Sequence, residues 1–557
     1  MSISDLTDDS SANPITDSKM DEKKANDQVT DGPPLDEEVA GDMSEVEEVR
    51  KGLHSRHIQM IALAGTIGTG LFLSSGRAIS RSGPLGALIG YLVTGAVAGV
   101  VTLSIAEMGA LVPLNGGIVR YSGYWVDPGL SFANGWNLVY SYSVSMPAEI
   151  VAATVLVEFW ITINSAIWIT IFGVLMLLSG FCVIRIYGEM EFGFSLMKIA
   201  LIVGVNLMAL VITCGGGPNH EPIGFKYWKR PGPFVQYLGI DGSLGQFLGV
   251  WTAMNNALYA YSGIESITVA AAETRSPRRA IPNAAKRIFG QERHRLTATV
   301  ISIFMLGLVV PSDDPNLSHY SGTASTSPFV IAAKRAGIKV VPSVINAVII
   351  TSAWSSGNSN VLSGSRVLYG LAKDDLAPRI FTKLNRFSVP WVAITMYGVL
   401  MCLAYLTVSS TASIVFDWLQ DLVSISTLVN WLTILVTYLR FFYGCEKQGI
   451  SRKSLPWAVP FQPYISWASM ILCILLLVTG GYVSFIHGHW SNESFVSSYI
   501  NIPIFFILYF SYKYIKKTKI VALEDIPIRG FIDSYIQSPE PEAKPKSKLR
   551  KLNFLWS

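Results

Sequence analysis

Six residues, Gly65-Thr66-Ile67-Gly68-Thr69-Gly70, set three glycines and two threonines inside an apolar stretch. Each glycine weakens a helix by about 1 kcal/mol relative to alanine. A phosphate-binding loop uses similar glycines, but no strand pattern precedes these and no Gly-Lys-Ser follows. Unwound backbone at membrane depth is tolerated where it lines a cavity or is buried in protein. Its N–H groups, with the positive end of the helix that follows, suit an anionic group such as a carboxylate. Thr66, Gly68, Thr69 and Gly70 are therefore candidate ligands for a substrate carboxylate. The competing reading is a glycine-lined contact between packed helices.

A second interruption, Ser262-Gly263-Ile264-Glu265, divides the apolar run that begins near residue 245. Carbonyls and a hydroxyl from Tyr261, Ser262, Gly263 and Ile264 would suit a substrate ammonium; the alternative is a flexible kink. Glu265 is ionisable within a span, which reads as functional by default. It fits a proton carrier, or a structural carboxyl satisfied by backbone N–H groups.

The elements that must position these residues are apolar. The chain has 557 residues, 50% of them hydrophobic and 15% charged. Soluble domains carry about 25% charged residues, so the balance fits a polytopic membrane protein. Runs near the roughly 20 residues that span a bilayer predict helices at 57–77, 84–105, 129–158, 165–184, 193–214, 245–272, 297–310, 341–370, 390–408, 412–443, 463–486 and 498–515. This is an all-α fold of about twelve membrane helices. Breaks in the first and sixth match a five-plus-five inverted repeat, with two further C-terminal helices.

Residues 1–50 lack aromatics and are rich in Asp, Glu, Ser and Pro. They read as a disordered acidic tail, followed by a membrane domain over 51–518 and a tail over 519–557. Basic residues gather after the sixth helix (Arg275, Arg278, Arg279, Lys286, Arg287, Arg293, Arg295) and after the eighth (Arg366, Lys373, Arg379, Lys383, Arg386). That bias predicts cytoplasmic termini. The Asn-x-Ser sequons Asn316 and Asn492 then fall on outer loops, where N-glycans attach. The seventh helix is short for a span, and Gln291 to Arg295 before it are polar. Either it starts within that polar run or the gene model is faulty there.

No nucleophile–base set or phosphate loop is present in the sequence, so no enzyme, cofactor or nucleic-acid function is expected. His54 and His57 lie three residues apart without a third metal ligand. The five cysteines show no CxxC spacing and read as small packing residues.

The stretches RHIQMIALAGTIGTGLFL, AEMGALVP, GYWVDPG, FANGWN, PAEIVAA, FKYWKRPG, ETRSPRRAIPNAAKRIF, LVVPSDDPNL and GNSNVLSGSRVLYGLAKDDLAPRIF resemble the fungal amino acid permeases, the yeast group of the amino acid–polyamine–organocation superfamily. The resemblance runs in order from about residue 51 to 520. It implies import of amino acids with protons across the plasma membrane, and ubiquitin-ligase adaptors as partners of the cytoplasmic tails. The last third resembles the dicarboxylic amino acid permeases most. Neutral or broad specificity, and amino acid sensing without transport, are the alternatives. The resemblance implies that Lys198 on the fifth helix stands where sodium-coupled relatives bind sodium, against a snorkelling lysine as the plain reading. Glu107, near a helix end, is a gate candidate with Arg120 or Arg366; the alternative is exposure to interfacial water. Asn358 becomes a substrate contact or a helix-binding amide. Glu149 reads as lying near a helix end. Two departures stand out. Ser266 follows Glu265 where the family has leucine. Asp417 and Asp421, one helical turn apart, replace amides; facing the outer vestibule they would repel an acidic substrate, and the alternatives are a bound cation or protonation.

Overall fold

The computed structural model describes residues 68–111, 117–161, 163–181, 184–263, 296–318, 327–386, 388–408 and 411–537. Among these residues the secondary structure is helical throughout. The chain runs through α1 (Thr69–Phe72), α2 (Ser74–Leu111), α3 (Ile118–Trp125), α4 (Pro128–Val157), α5 (Ser165–Gly180), α6 (Ile184–Thr213) and α7 (Ser243–Tyr261). It continues with α8 (Leu296–Val309), α9 (Pro328–Arg335), α10 (Val341–Lys373), α11 (Trp391–Leu400), α12 (Ala412–Lys447), α13 (Tyr464–Thr479), α14 (Asn492–Tyr499), α15 (Asn501–Lys516) and α16 (Ile528–Gln537).

Local chemistry explains the boundaries. α2 bends at Gly83, whose φ of 79° and ψ of 171° break the helix before Pro84. A side chain at Gly83 would meet the Pro233 carbonyl at 2.6 Å. The bend exposes backbone groups that the 233–235 segment satisfies: Leu85 N–H donates to Pro233 O at 3.0 Å and Val235 N–H to Ser82 O at 3.2 Å. The first two predicted segments thus meet at this corner. Asp127 caps α4 by accepting from Gly129 N–H at 2.8 Å, with Pro128 in the first turn.

Among the described residues six helices are long and apolar enough to cross a membrane. Burial sorts them. The apolar windows of α4 and α12 are 89% and 83% buried within the protein, whereas that of Asn492–Lys516 is 17% buried. The first two form the middle of the bundle. The last turns its apolar surface outward, Phe506, Ile507 and Phe510 included, as lipid contact requires. Around the middle pair, α2 packs on α7, and α10 packs on α4.

One boundary differs from the sequence reading. The fifth helix starts at Ile184 rather than near 193, which moves Lys198 from its start into its interior. α7 stops at Tyr261, beside the interruption expected at Ser262–Glu265, and residues 264–272 lie outside the described residues. Beyond the expected tail boundary at 518, Ile526, Ile528 and Phe531 are buried. Among the described residues α8 covers Leu296–Val309. The suspect run before it and the acidic segment 1–50 lie outside the described residues, as do His54 and His57.

Candidate functional site

The site is assembled where the two interruptions face each other. Gly68, with extended backbone, stands at the N-cap of α1. α7 ends at Tyr261, and Gly263 takes a φ of 82° that L side chains avoid, turning the chain away. Gly70 lets α1 and α7 touch, since a Cβ there would lie 2.7 Å from Ala260 Cα. Its glycine is accounted for by helix packing.

Between these helix ends lies Glu149 of α4, 5% exposed. Thr69 Oγ1 donates to its Oε2 at 3.0 Å, Ser356 Oγ of α10 to its Oε1 at 3.0 Å, and Tyr259 Oη to its Oε1 at 3.4 Å. Thr69 and Tyr259 hydroxyls also lie 3.2 Å apart. One carboxylate therefore ties α4 to both interrupted helices and to α10. The sequence reading put Glu149 near a helix end; it sits eight residues inside α4, and its partners come from elsewhere in the chain.

Lys198 on α6 is fully buried, so it does not snorkel. Its Nζ lies 3.8 Å from Glu191 Oε1, two turns earlier on the same helix. Ser355 Oγ is 2.8 and 2.7 Å from the two oxygens of Glu191. Ser355 and Ser356 adjoin on α10, so the Glu149 and Glu191 centres are neighbours. Sequence reading missed Glu191. Its signal was a second carboxylate on an apolar helix, seven residues from the lysine.

A second layer closes one side of this centre. Ser74 Oγ donates to Gln420 Oε1, Gln420 Nε2 to Asn256 Oδ1, and Asn256 Nδ2 to Ser74 O, each at 2.6 Å. This buried ring joins α2, α7 and α12. Beyond it opens a cavity of about 550 Å³, lined in part by Arg77, Arg81, Asn255, Asp417 and Asp421. Arg77 Nη1 lies 3.4 Å from Asp417 and 3.5 Å from Asp421. The two aspartates thus face an arginine, which the sequence reading had not paired with them.

The remaining sequence candidates are placed as follows. Tyr261 directs its hydroxyl to the Tyr91 carbonyl at 3.2 Å, and Ser262 Oγ donates to Tyr259 O at 2.8 Å. Asn358 accepts from Ser179 Oγ at 2.6 Å, joining α10 to α5. Glu107 does not meet Arg120 or Arg366. It accepts from Arg452 at 2.8 Å, from Tyr438 at 2.7 Å and from Val459 N–H at 2.8 Å. Arg120 grips Asp374 with two hydrogen bonds. The expected pair is two separate clasps because each partner residue arrives from a distant loop. Asn316 and Asn492 are both exposed. Cys214, Cys402, Cys445 and Cys473 are free, and only the latter two are buried. Thr66, Ile264 and Glu265 lie outside the described residues. Among the described residues no cluster could hold a metal ion.

A family model described as "Amino acid permease" matches residues 57–524. The chain is similar to the dicarboxylic amino acid permease of Saccharomyces cerevisiae, 34% identical over 523 residues, covering 91% of this chain and 85% of that one. It is also similar to the proline-specific permease of that yeast, 36% identical and covering 86% and 77%. The basic amino-acid permease of the same organism is 33% identical, covering 91% and 89%. Among solved structures, a variant of the manganese transporter of Eremococcus coleocola superposes with a TM-score of 0.54 at 13% identity, covering 90% of this chain and 97% of that one. That likeness concerns the fold alone.

Proposed function

This chain belongs to the amino acid permease family, and on that premise we propose that it imports amino acids together with protons across the fungal plasma membrane. It is a multi-pass membrane protein and a transporter rather than an enzyme. The proposed arrangement has twelve spans, a five-plus-five inverted repeat with two added helices, and both termini in the cytoplasm. Substrate would sit between the interruptions, its carboxylate toward Gly68–Gly70 and its ammonium toward the last carbonyls of α7. One bundle would then rock against the other.

The observation that carries this reading is the Glu149 carboxylate, buried against Thr69 and Tyr259 at both interruptions. Ionised, it accepts three hydroxyl hydrogen bonds. Protonated, it becomes a donor and releases one of those hydroxyls, Thr69 among them, to a substrate carboxylate. A proton and a substrate would therefore favour the same state, which is what symport requires. Glu265, Ile264 and Thr66 remain candidates from sequence for the same machinery, and Lys198 for coupling.

For specificity, the named relatives include dicarboxylic, proline-specific and basic permeases, so homology alone spans every charge class. We favour acidic substrates. Arg77 lies close to both Asp417 and Asp421, which removes much of the repulsion those carboxylates would exert. The test is uptake of labelled glutamate, alanine, proline and lysine into permease-deficient yeast at about pH 5 and about pH 7.5, with a protonophore control. Protonophore-sensitive glutamate uptake, stronger in acid and lost in acid stimulation on Glu149→Gln, is expected. Neutral or basic preference would retain the mechanism and overturn the substrate. No uptake despite normal surface amounts would favour a non-transporting sensor.

A further inference from the structure

Beside the cavity beyond the Ser74–Gln420–Asn256 ring, the end of α13 reaches α7 through hydrogen bonds. α13 stops at Thr479, and Gly480 and Gly481 lead into a 3-10 turn over Tyr482–Phe485. α14 holds that turn from behind. A Cβ at Gly481 would lie 2.4 Å from Tyr499 Cε2. Without one, Tyr499 Oη accepts from Gly481 N–H at 3.2 Å and donates to Val478 O at 3.0 Å. The turn presents Tyr482 to α7. Its hydroxyl donates to Leu248 O at 3.0 Å and lies 2.8 Å from Thr252 Oγ1. The single phenol hydrogen is committed to Leu248, so Thr252 is the donor of the second bond. Trp251 Nε1 donates to Thr479 Oγ1 at 2.8 Å. Thr252 and Asn255 of α7 line the cavity on one side, and Gly480, Gly481 and Ser484 on the other.

α7 is held differently on these two flanks. Against α2 it packs closely: a Cβ at Gly90 would lie 2.8 Å from Ala253 Cβ. Separating packed atoms forfeits their van der Waals contact. A hydrogen bond at a cavity wall passes to water with little net change. The α13 flank is therefore the one that can part and re-form. We propose that Tyr482 is a positioning residue, the hook of a latch that holds α7 over the cavity and closes the site from that side. The bonds of Tyr482 and Thr479 to α7 break when the cavity opens to substrate. α13 stands outside the ten helices of the proposed repeat, so the added helices set how readily the cavity opens. α7 also carries Tyr259, so its position places that hydroxyl on Glu149. The inference rests on the transport reading above.

Uptake kinetics of the full-length chain test the latch, with whichever of labelled glutamate, alanine, proline and lysine the parent takes up best. Substrate enters the open state, so the apparent KM falls as the open fraction of the empty protein rises. Closing around substrate is then less favourable, which slows turnover. Tyr482→Phe keeps the ring and removes the hydroxyl. It should lower KM and kcat per surface copy together, each by about two- to tenfold. Thr252→Val should act in the same direction more weakly, because Tyr482 keeps Leu248, and should add nothing to Tyr482→Phe. Thr479→Val removes the other bond to α7 and should give the same joint fall, including where Tyr482→Phe fails to reach the surface. Parental KM and kcat in Tyr482→Phe or in Thr479→Val overturn the latch. A fall in uptake at unchanged or raised KM reduces the contact to structure and also overturns it, as does a further effect of Thr252→Val in the Tyr482→Phe background. Absence of saturable uptake in the parent chain would instead bring down the transport reading itself, and this inference with it.

Discussion

Replacing Gly70 by alanine tests how closely the two interrupted helices must touch. The new methyl carbon would lie 2.7 Å from Ala260 Cα, 3.0 Å from Ala260 N and 3.1 Å from Tyr259 Cδ1. Carbon atoms rest at about 3.5–4.0 Å, so the nearest contact is short by about 1 Å. The obstructing atoms are mostly backbone, so no rotamer change relieves them; α1 must move off α7. Overpacking of this kind costs about 1–3 kcal/mol, which corresponds to a factor of roughly 5–150 in the population of this packed state. The same motion would pull Thr69 from Glu149 and Tyr259. Gly70→Ala should therefore lower the melting temperature of the detergent-solubilised protein and cut initial uptake at least about fivefold per surface copy. Gly99→Ala is the matched control, since a Cβ at Gly99 meets nothing within 4 Å; it should be neutral or slightly stabilising. Parental melting and uptake in Gly70→Ala would refute the close approach and the argument built on it.

Other consequences are equally direct. Arg77→Gln leaves Asp417 and Asp421 without the guanidinium now 3.4 and 3.5 Å away, so glutamate uptake should fall more than lysine uptake; an equal fall would deny the cavity any electrostatic role in selection. Asp127 is fully buried, which by itself would raise its carboxyl value, yet hydrogen bonds from Lys513, Gly129 N–H, Thr518 and Tyr509 bring it below the ordinary 3.8. A depressed value means stability that is complete above the ordinary carboxylate range and lost only as pH falls through the lowered one. Melting should thus show no pH dependence arising from Asp127 across neutral and mildly acid pH, and Asp127→Asn should cost about 1.5–3 kcal/mol throughout, with unchanged melting as the contrary result. Asn316→Gln and Asn492→Gln should each remove a glycosidase-sensitive increment in gel mobility, and a mobility shift absent from both would place those loops away from the lumenal side.

The two interruptions were legible in the chain because they are written in local chemistry. Gly68 at the N-cap of α1 and Gly263, with its positive φ just past α7, stand where regular helix stops for local reasons, so their effect survives in a linear reading. The apolar runs were legible for the same reason: burying or lipid-facing each helix depends on composition within one segment. Packing decided the rest. Glu149 took its importance from Thr69, Tyr259 and Ser356, which lie 80, 110 and 207 positions away. Nothing in its own helix distinguishes a carboxyl at the bundle centre from one near a rim. Glu107 went to Arg452 and Arg120 to Asp374 for a similar reason: ion pairs follow from where helix ends converge, and many basic residues compete for each acid in sequence. Asp417 and Asp421 read as a repulsive pair until tertiary structure brought Arg77 beside them. Local backbone preference fixes where a helix must yield, while the charge a buried group can bear is set by atoms that only folding brings within a few ångströms.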